Sequence, residues 1–243
     1  MKTILGLVML AAAALLSGCA HTRSISNSGY NEDANHYYSG RNDQSHYRGE
    51  LNEFDVLGIE AGNNATDEQI VRTLDSSTRV SMRKGSSVLL IQSGAMQPDK
   101  PMITAMEKQF VIVPFSGQPG AKSAAGYSRS LRLAAAQAGC ESVICYWGTL
   151  ESASKGNDTK AVSWVPIAGW VLPDESQQMR IHLKVALVDV RSGRWTMLSS
   201  QAFDDRSHSS RLNREASDQK LVDKLKQLAY ASAAEDVVKI YAR

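Results

Sequence analysis

The sequence has few cysteines, no excess of one charge sign and only one long apolar run. Three cysteines in 243 residues are too few for a fold stapled by disulfides. Lys and Arg number 27 and Asp and Glu number 25, so the formal net charge of +2 lacks the clustered basic excess of nucleic-acid-binding domains, and we expect no nucleic-acid partner. The one apolar run lies at the N-terminus, which excludes a protein that crosses a membrane several times.

The N-terminus has the pattern of an export signal. Lys2 precedes an apolar run over residues 4–16, which is too short to cross a bilayer core of about 30 Å comfortably. Leu16, Ser17, Gly18 and Cys19 follow, and this tetrapeptide resembles the lipobox of bacterial lipoproteins. In such a box the two small residues let a peptidase approach the backbone, and the thiol takes up a diacylglyceryl group. An ordinary cleaved signal with a chance cysteine is the alternative.

The lipobox resemblance implies that residues 1–18 are removed as a signal peptide and that Cys19 is lipidated through a thioether, usually with acylation of the new amino terminus by a palmitate-type chain. Two or more acyl chains anchor a protein stably, so the membrane is the first expected partner. Ala20 stands where an Asp would commonly retain such a lipoprotein at the inner membrane. The resemblance therefore favours the outer membrane, with the mature chain facing the periplasm.

Residues 19–50 are predicted to form a lipidated, flexible tether. Ile25 and Ala34 are the only aliphatic residues between Ala20 and Gly49, which is too little apolar surface to offset the entropy of ordering the segment. The segment also holds three of the chain's five histidines, spaced fifteen and ten residues apart, namely His21, His36 and His46. This spacing lacks the close pair that usually begins a metal site, so we predict no metal site there.

Residues 51–243 are predicted to form one globular α/β domain. Short apolar runs predict strands at residues 87–92, 110–114 and 142–147. A helix is predicted before the first strand, where a capping box at Thr66–Gln69 precedes Ile70, Val71 and Leu74. A second helix is predicted between the first two strands, where Asp99 and Pro101 precede Met102, Ile103 and Met106. A third is predicted from an alanine-rich run over residues 126–138 that ends at Gly139. Strands that alternate with helices indicate crossovers and at least partly parallel pairing.

The pattern changes after residue 178. Met179, Ile181, Leu183 and Val185 alternate on one face, and a turn at Ser192 and Gly193 predicts a β-hairpin that returns over residues 194–203. Apolar residues then recur every three or four positions up to Tyr241, which predicts a long helix that covers the sheet. The predicted fold is a single three-layer-like α/β domain with a mixed sheet, βαβαβ and then a β-hairpin, covered by helices that include a long C-terminal helix.

This order of elements resembles the periplasmic domain shared by the N-terminal part of TolB, the penicillin-binding-protein activator LpoB and the curli secretion lipoprotein CsgG. The resemblance spans residues 87–203, rests on the strand from Val111 to Phe115, the segment from Gly139 to Gly148 and the triplet Val188, Asp189 and Gly193, and does not extend to residues 152–173. It implies a domain without enzymatic activity that docks other envelope components or assembles.

No catalytic residue, cofactor site or metal site is predicted from motifs. The sequence has no GxSxG, HExxH, P-loop or GxGxxG pattern. His182 lies on the opposite strand face from Ile181 and Leu183, which is typical of a solvent-facing or cross-strand histidine. A strand over residues 141–145 would hold the Cα atoms of Cys140 and Cys145 beyond the roughly 7 Å limit of a disulfide, although a folded-back helix end would permit the bond. With no cationic neighbour in sequence, Cys145 is not expected to be a catalytic thiol.

Residues 163–173 form an apolar stretch, SWVPIAGWVLP, where a polar loop is expected. Trp164, Val165, Ile167 and Trp170 are its candidate interface residues, because tryptophans and exposed apolar patches commonly mark binding sites. The membrane surface is another candidate neighbour, and the alternative is a buried core strand.

The first functional hypothesis is a non-enzymatic outer-membrane lipoprotein, anchored by Cys19, that docks or helps assemble another envelope component, with an envelope protein as its partner. A periplasmic hydrolase, for instance a peptidase without a recognisable motif, is the rival. A self-assembling structural lipoprotein is the third hypothesis.

Overall fold

The structure is a computed structural model. It describes residues 21–27, 50–59, 65–76, 79–117, 126–154, 176–208 and 214–242. Four parts of the sequence predictions lie outside the described residues: the signal peptide at residues 1–18, Cys19, most of the tether, and the candidate interface at residues 163–173.

One mixed seven-stranded sheet and five α-helices make up the described chain. The strands are β1 His21–Ser24, β2 Ser87–Gln92, β3 Val111–Phe115, β4 Ser142–Ser154, β5 Ser176–Asp189, β6 Trp195–Ser199 and β7 Phe203–His208. The helices are α1 Glu53–Leu57, α2 Asp67–Asp75, α3 Lys100–Glu107, α4 Tyr127–Gln137 and α5 Arg214–Tyr241, and a 3-10 turn covers Ile25–Asn27.

A long antiparallel pair, β4 and β5, runs the whole length of the sheet. Its register begins with Ser142 opposite Asp189 and ends with Ser154 opposite Gln177. In the half near Ser142, β2 pairs parallel with β4 and β3 pairs parallel with β2, while β6 lies against β5. In the half near Ser154, β1 pairs with β4 and β7 pairs with β5, both antiparallel.

Helices cover both faces of the sheet, which confirms the predicted three-layer α/β fold. One core joins the sheet to α3 and α5 through buried residues that include Leu90, Met106 and Leu225. The other core joins the opposite face to α1 and α4 through residues that include Val56 and Leu131. The neighbours in β2 alternate between the two cores, because successive side chains of a strand point to opposite faces.

The return strand predicted over residues 194–203 is wrong in its extent. The chain turns at Gly193, whose φ of 72° suits glycine, and β6 then pairs only with Lys184–Val188 of β5. After a break at residues 200–202 the chain resumes as β7, which pairs with Ser176–Ile181 of the same strand. The fourteen-residue β5 therefore pairs along the same edge with two short strands, first β7 and then β6.

The predicted tether of residues 19–50 is also wrong over residues 21–27. β1 pairs with β4, so that His21 lies opposite Ser152 and Ser24 lies opposite Thr149. Ile25 is fully buried in the core beneath α5 and packs where Gly148 has no side chain. One well-placed isoleucine and a strand pairing thus order a segment whose average composition predicted a flexible linker.

The helix signals of the sequence are confirmed, but α2 does not pack as the other helices do. Its capping box is complete, with the Gln69 amide 3.3 Å from Thr66 Oγ1 and the Thr66 amide 3.0 Å from Gln69 Oε1. Ile70, Val71 and Leu74 are nevertheless 50%, 55% and 66% exposed. The apolar face of α2 is therefore open to solvent among the described residues.

Candidate functional site

The end of the sheet where β1 enters is the first candidate functional region. His21 opposes Ser152 in β4, and Cys19 precedes it by only two positions in the sequence. At this same end β4 finishes at Ser154 and β5 starts at Ser176. The predicted lipid attachment and the segment that holds Trp164 and Trp170 therefore join the sheet at one end.

Hydrogen bonds attach the residues that directly follow β1 in the sequence to the rest of the domain. Ser26 Oγ donates to the Ser93 carbonyl over 2.6 Å and accepts from Gln92 Nε2 over 3.2 Å. The amide of Leu51 in turn donates to Ser93 Oγ over 2.8 Å. Both Ser26 and Ser93 are buried, so these bonds are shielded from water and hold the segments before and after residues 28–49 together.

A buried polar cluster continues from Gln92 into the core. The Tyr146 hydroxyl donates to Gln92 Oε1 over 2.5 Å, and the Asp99 amide donates to the same oxygen over 2.8 Å. Asp99 Oδ2 then accepts from Lys226 Nζ over 2.7 Å and from the Tyr230 hydroxyl over 2.5 Å. The cluster ties α5 to the start of α3 and to the centre of the sheet.

Burial dominates the proton chemistry of this cluster. Desolvation lowers the pKa of Lys226, whose side chain is 0% exposed, and the neighbouring Asp99 carboxylate opposes that shift. Desolvation also raises the pKa of Tyr146 and of Tyr230 well above the ordinary value, which favours the protonated form in which both hydroxyls donate. These groups satisfy one another in the interior, an arrangement suited to rigidity and not to contact with a substrate.

A second candidate region is a cavity of about 890 Å³ at the other end of the sheet. Ser142 and Asp189, the first register pair of β4 and β5, lie at this end. The lining draws on α4, the β5–β6 turn and the segments before β2 and β4, and it carries four arginines: Arg83, Arg129, Arg132 and Arg191. Glu141 and Asp189 are the acidic residues among the described lining residues, whose positive charge is therefore in excess by two. We call this cavity the arginine groove.

The arginines of the groove are held to different degrees. Arg83 pairs with Glu141 over 2.5 Å at the surface. Arg132 Nη1 donates to the Val190 carbonyl over 3.3 Å, and its guanidinium lies against Gly193, where a Cβ atom would come within 2.8 Å. Arg129 and Arg191 are exposed and make no ion pair with another described residue. Two guanidinium groups are therefore available to an anionic ligand.

The structure also locates the single residues that the sequence singled out. His182 is 40% exposed and lies 3.8 Å from Glu151 at the sheet surface, as expected of a cross-strand histidine. Cys140 and Cys145 are both buried, free thiols, and burial raises the pKa of each. Within the described ranges no group of three or more histidine, cysteine and acidic residues could hold a metal ion. None of the described helices combines the length and the hydrophobicity that spanning a bilayer requires.

Sequence reasoning missed the arginine groove. Its arginines lie far apart in the chain, and only Arg129 and Arg132 share a local signal, since they are three residues apart on one helix face. The pairing of β4 with β5 and the crossover through α4 bring them together, which no short motif encodes.

Comparison with models of protein families gives a match over most of the chain. A family model described as YafT bacterial lipoprotein matches residues 52–240. Among solved structures, rare lipoprotein B of Shewanella oneidensis is 9% identical, with a TM-score of 0.31 over 63% of this chain and 91% of that chain. A lipoprotein of Caulobacter crescentus described as putative is 13% identical, with a TM-score of 0.26 over 47% and 80%. At these TM-scores the likenesses carry no argument about function, and a search of curated proteins finds no match.

Proposed function

The chain belongs to the YafT bacterial lipoprotein family, and from this premise we propose that it is an outer-membrane-anchored periplasmic lipoprotein whose domain docks or helps assemble another envelope component without catalysing a reaction. Cys19 carries the lipid in this proposal, and residues 1–18 are removed. Ala20, in place of an Asp, supports the outer over the inner membrane.

The observation that carries the proposal is the direct passage from Cys19 into the sheet. Only Ala20 stands between the proposed lipidated residue and β1, and Ile25 is buried in the core. A lipid on Cys19 would hold this end of the sheet at the bilayer surface, whereas a long flexible linker would let the domain move away from the membrane. A membrane-held domain with a fixed orientation is suited to meeting partners within the envelope.

The contact segment of the proposal is residues 163–173, which include Trp164 and Trp170. They belong to residues 155–175, which connect the end of β4 to the start of β5, and these two strand ends lie on the side of the sheet where β1 begins. In the proposal this segment meets either the membrane surface or a partner protein close to it.

Lipidation is tested by replacing Cys19 with serine and labelling cells with palmitate. We expect the wild type and a Cys140→Ser control to be labelled and recovered with the outer membrane, because Cys140 is a buried thiol remote from the signal. The Cys19→Ser variant should carry no label and should accumulate as an uncleaved or mislocalised precursor. Label that persists in this variant refutes the anchor.

Docking is tested by crosslinking in intact cells followed by mass spectrometry. Photoreactive residues at positions 165 and 167 should capture an envelope protein, whereas the same group at exposed Lys220 should not. Deleting residues 163–173 should abolish capture and leave the thermal unfolding transition in place. A collapsed transition would show instead that the segment belongs to the core.

The rival hypothesis of a periplasmic hydrolase receives less support. Hydrolysis requires a nucleophile or an activated water beside a base in a site that a substrate can enter. The Asp99 and Lys226 pair is buried in the core. Among the described residues, the lining of the arginine groove has four arginines and the thiol of Cys140 but no histidine. This lining is suited to binding an anion.

A further inference from the structure

Two described surfaces that the proposed anchor does not use complement each other. The first is α2, whose apolar face, Ile70, Val71 and Leu74, is at least half exposed. Asp67 lies on that face three and four residues before Ile70 and Val71, and Asp75 flanks it. With Glu68, α2 carries three acidic residues against one arginine. It is an acidic amphipathic helix without a packing partner among the described residues.

The second surface is the arginine groove. Besides its four arginines, the groove is lined by apolar residues, of which Leu133 is 60% exposed. Its volume of about 890 Å³ is large enough for several side chains of a helix face. A lining that combines apolar residues with an excess of arginines is the counterpart of an apolar helix face with acidic flanks.

We propose that the protein self-associates head to tail, with α2 of one copy seated in the arginine groove of the next. This inference deepens the proposed assembly role and rests on it by naming a second copy of the chain as a partner. Ile70, Val71 and Leu74 would contact Leu133 and the other apolar lining residues, while the acidic residues of α2 would face the exposed Arg129 and Arg191.

A second copy fits the groove better than the helix of the same chain. α2 ends at Asp75, and Ser81 already lines the groove, so only five residues separate the helix from the rim of its own groove. Arg194 of the β5–β6 turn also donates to the Ser76 carbonyl at the end of α2. In this arrangement the apolar face of α2 remains exposed instead of seated in its own groove.

The membrane is a poorer occupant for α2 than another copy. Helices that lie on bilayers carry basic residues that attract anionic lipids, whereas α2 has an excess of two negative charges. The groove also lies at the far end of β4 from Ser152, about ten strand residues or roughly 33 Å from the proposed anchor. The contact would therefore form away from the lipid attachment point.

A head-to-tail contact has a specific consequence for assembly. A copy that places its α2 in a neighbour still has a free groove, and a copy whose groove is occupied still has a free α2. The contact therefore continues from copy to copy into a ring or an open chain. Lipid anchors that hold all copies in one plane would raise their effective concentration and favour even a weak contact.

The experiment measures the oligomeric state of the full-length lipidated protein in detergent with two one-sided variants. One variant carries Ile70→Ser and Leu74→Ser, and the other carries Arg129→Glu and Arg191→Glu. All four side chains are exposed in a single copy, so both variants should fold with an unchanged thermal transition. We expect wild type to form oligomers and each variant alone to associate at least tenfold more weakly. An equimolar mixture should form a one-to-one complex, because each variant keeps the surface that the other lacks.

Matched controls distinguish loss of the proposed contact from a general effect of changing surface charge or removing exposed apolar side chains. Lys220→Glu with Lys239→Glu makes the same charge change on exposed sites of α5, and Leu228→Ser with Ile240→Ser removes two exposed apolar residues elsewhere. Both controls should keep the wild-type oligomer. A monomeric wild type, a mixture of variants that stays monomeric, or equal losses in the controls would overturn the head-to-tail contact. If such a monomer is still lipidated on Cys19 and still crosslinks to an envelope protein, the proposed function stands without this inference.

Discussion

Replacing Ile25 with alanine measures how firmly the segment after the proposed lipid is built into the domain. The side chain is 0% exposed and belongs to the larger of the two cores. Removing buried methyl and methylene groups costs their transfer free energy plus that of the cavity left behind, so Ile→Ala at a packed site costs about 2–5 kcal/mol. Domains of this kind are stable by about 5–15 kcal/mol, so the loss is easily detected.

The assay is urea unfolding of the unlipidated mature chain, followed by circular dichroism. Ile25→Val should cost only about 0.5–1.5 kcal/mol, and Thr22→Ala, at an exposed site of the same strand, should change the free energy of unfolding little. If Ile25→Ala is as harmless as Thr22→Ala, residues 21–27 are a free tether and the reasoning is refuted.

A second substitution tests the specific contact that Ile25 makes. A Cβ atom on Gly148 would lie 2.8 Å from two methyl carbons of Ile25 and 2.7 Å from Leu183 Cδ2. Gly148→Ala alone should therefore destabilise the domain through overpacking. The double variant with Ile25→Ala should lose less than the sum of the two single losses, by about 0.5–3 kcal/mol. Strict additivity would show that the two residues do not touch.

The buried cluster and the buried tyrosines give two further tests. Asp99→Asn should cost about 3–5 kcal/mol in urea unfolding, because it removes the carboxylate that the buried Lys226 ammonium contacts over 2.7 Å. Glu141→Gln breaks an exposed ion pair and should cost at most about 1 kcal/mol. Equal losses would contradict the cluster's role. Burial raises the pKa of Tyr230 well above 10.0, so the folded chain keeps a proton that the unfolded chain releases at alkaline pH. Above about pH 10 this tyrosine should lower the free energy of unfolding by about 1.4 kcal/mol per pH unit, and Tyr230→Phe should remove that share of the slope; an identical slope in the variant is the opposing result.

The sequence predicted those parts of the fold that local patterns encode. The three apolar strands at residues 87–92, 110–114 and 142–147, the capping box at Thr66 and the long final helix all lie where short-range periodicity and helix signals placed them. Such signals are reliable because a buried strand or a capped helix must satisfy its own backbone and its own face before it packs.

The parts that the sequence did not predict depend on long-range pairing. Ile25 is one apolar residue in a polar segment, and its burial follows from the pairing of β1 with β4 about 125 positions later. The arginine groove likewise needs Arg129 and Arg191 to meet through the sheet. α2 shows the opposite difference: its apolar spacing is typical of a helix that packs on a core, but its apolar face is exposed. Composition averages and periodicity contain neither kind of information.

The most direct test of the lipoprotein account is the mass of the N-terminal peptide of the native protein, purified from outer membranes and digested. The account predicts a peptide that begins at Cys19 and carries a diacylglyceryl thioether and an amide-linked acyl chain. A peptide that begins at another residue, or an unmodified Cys19 on a chain recovered free of membranes, would contradict it.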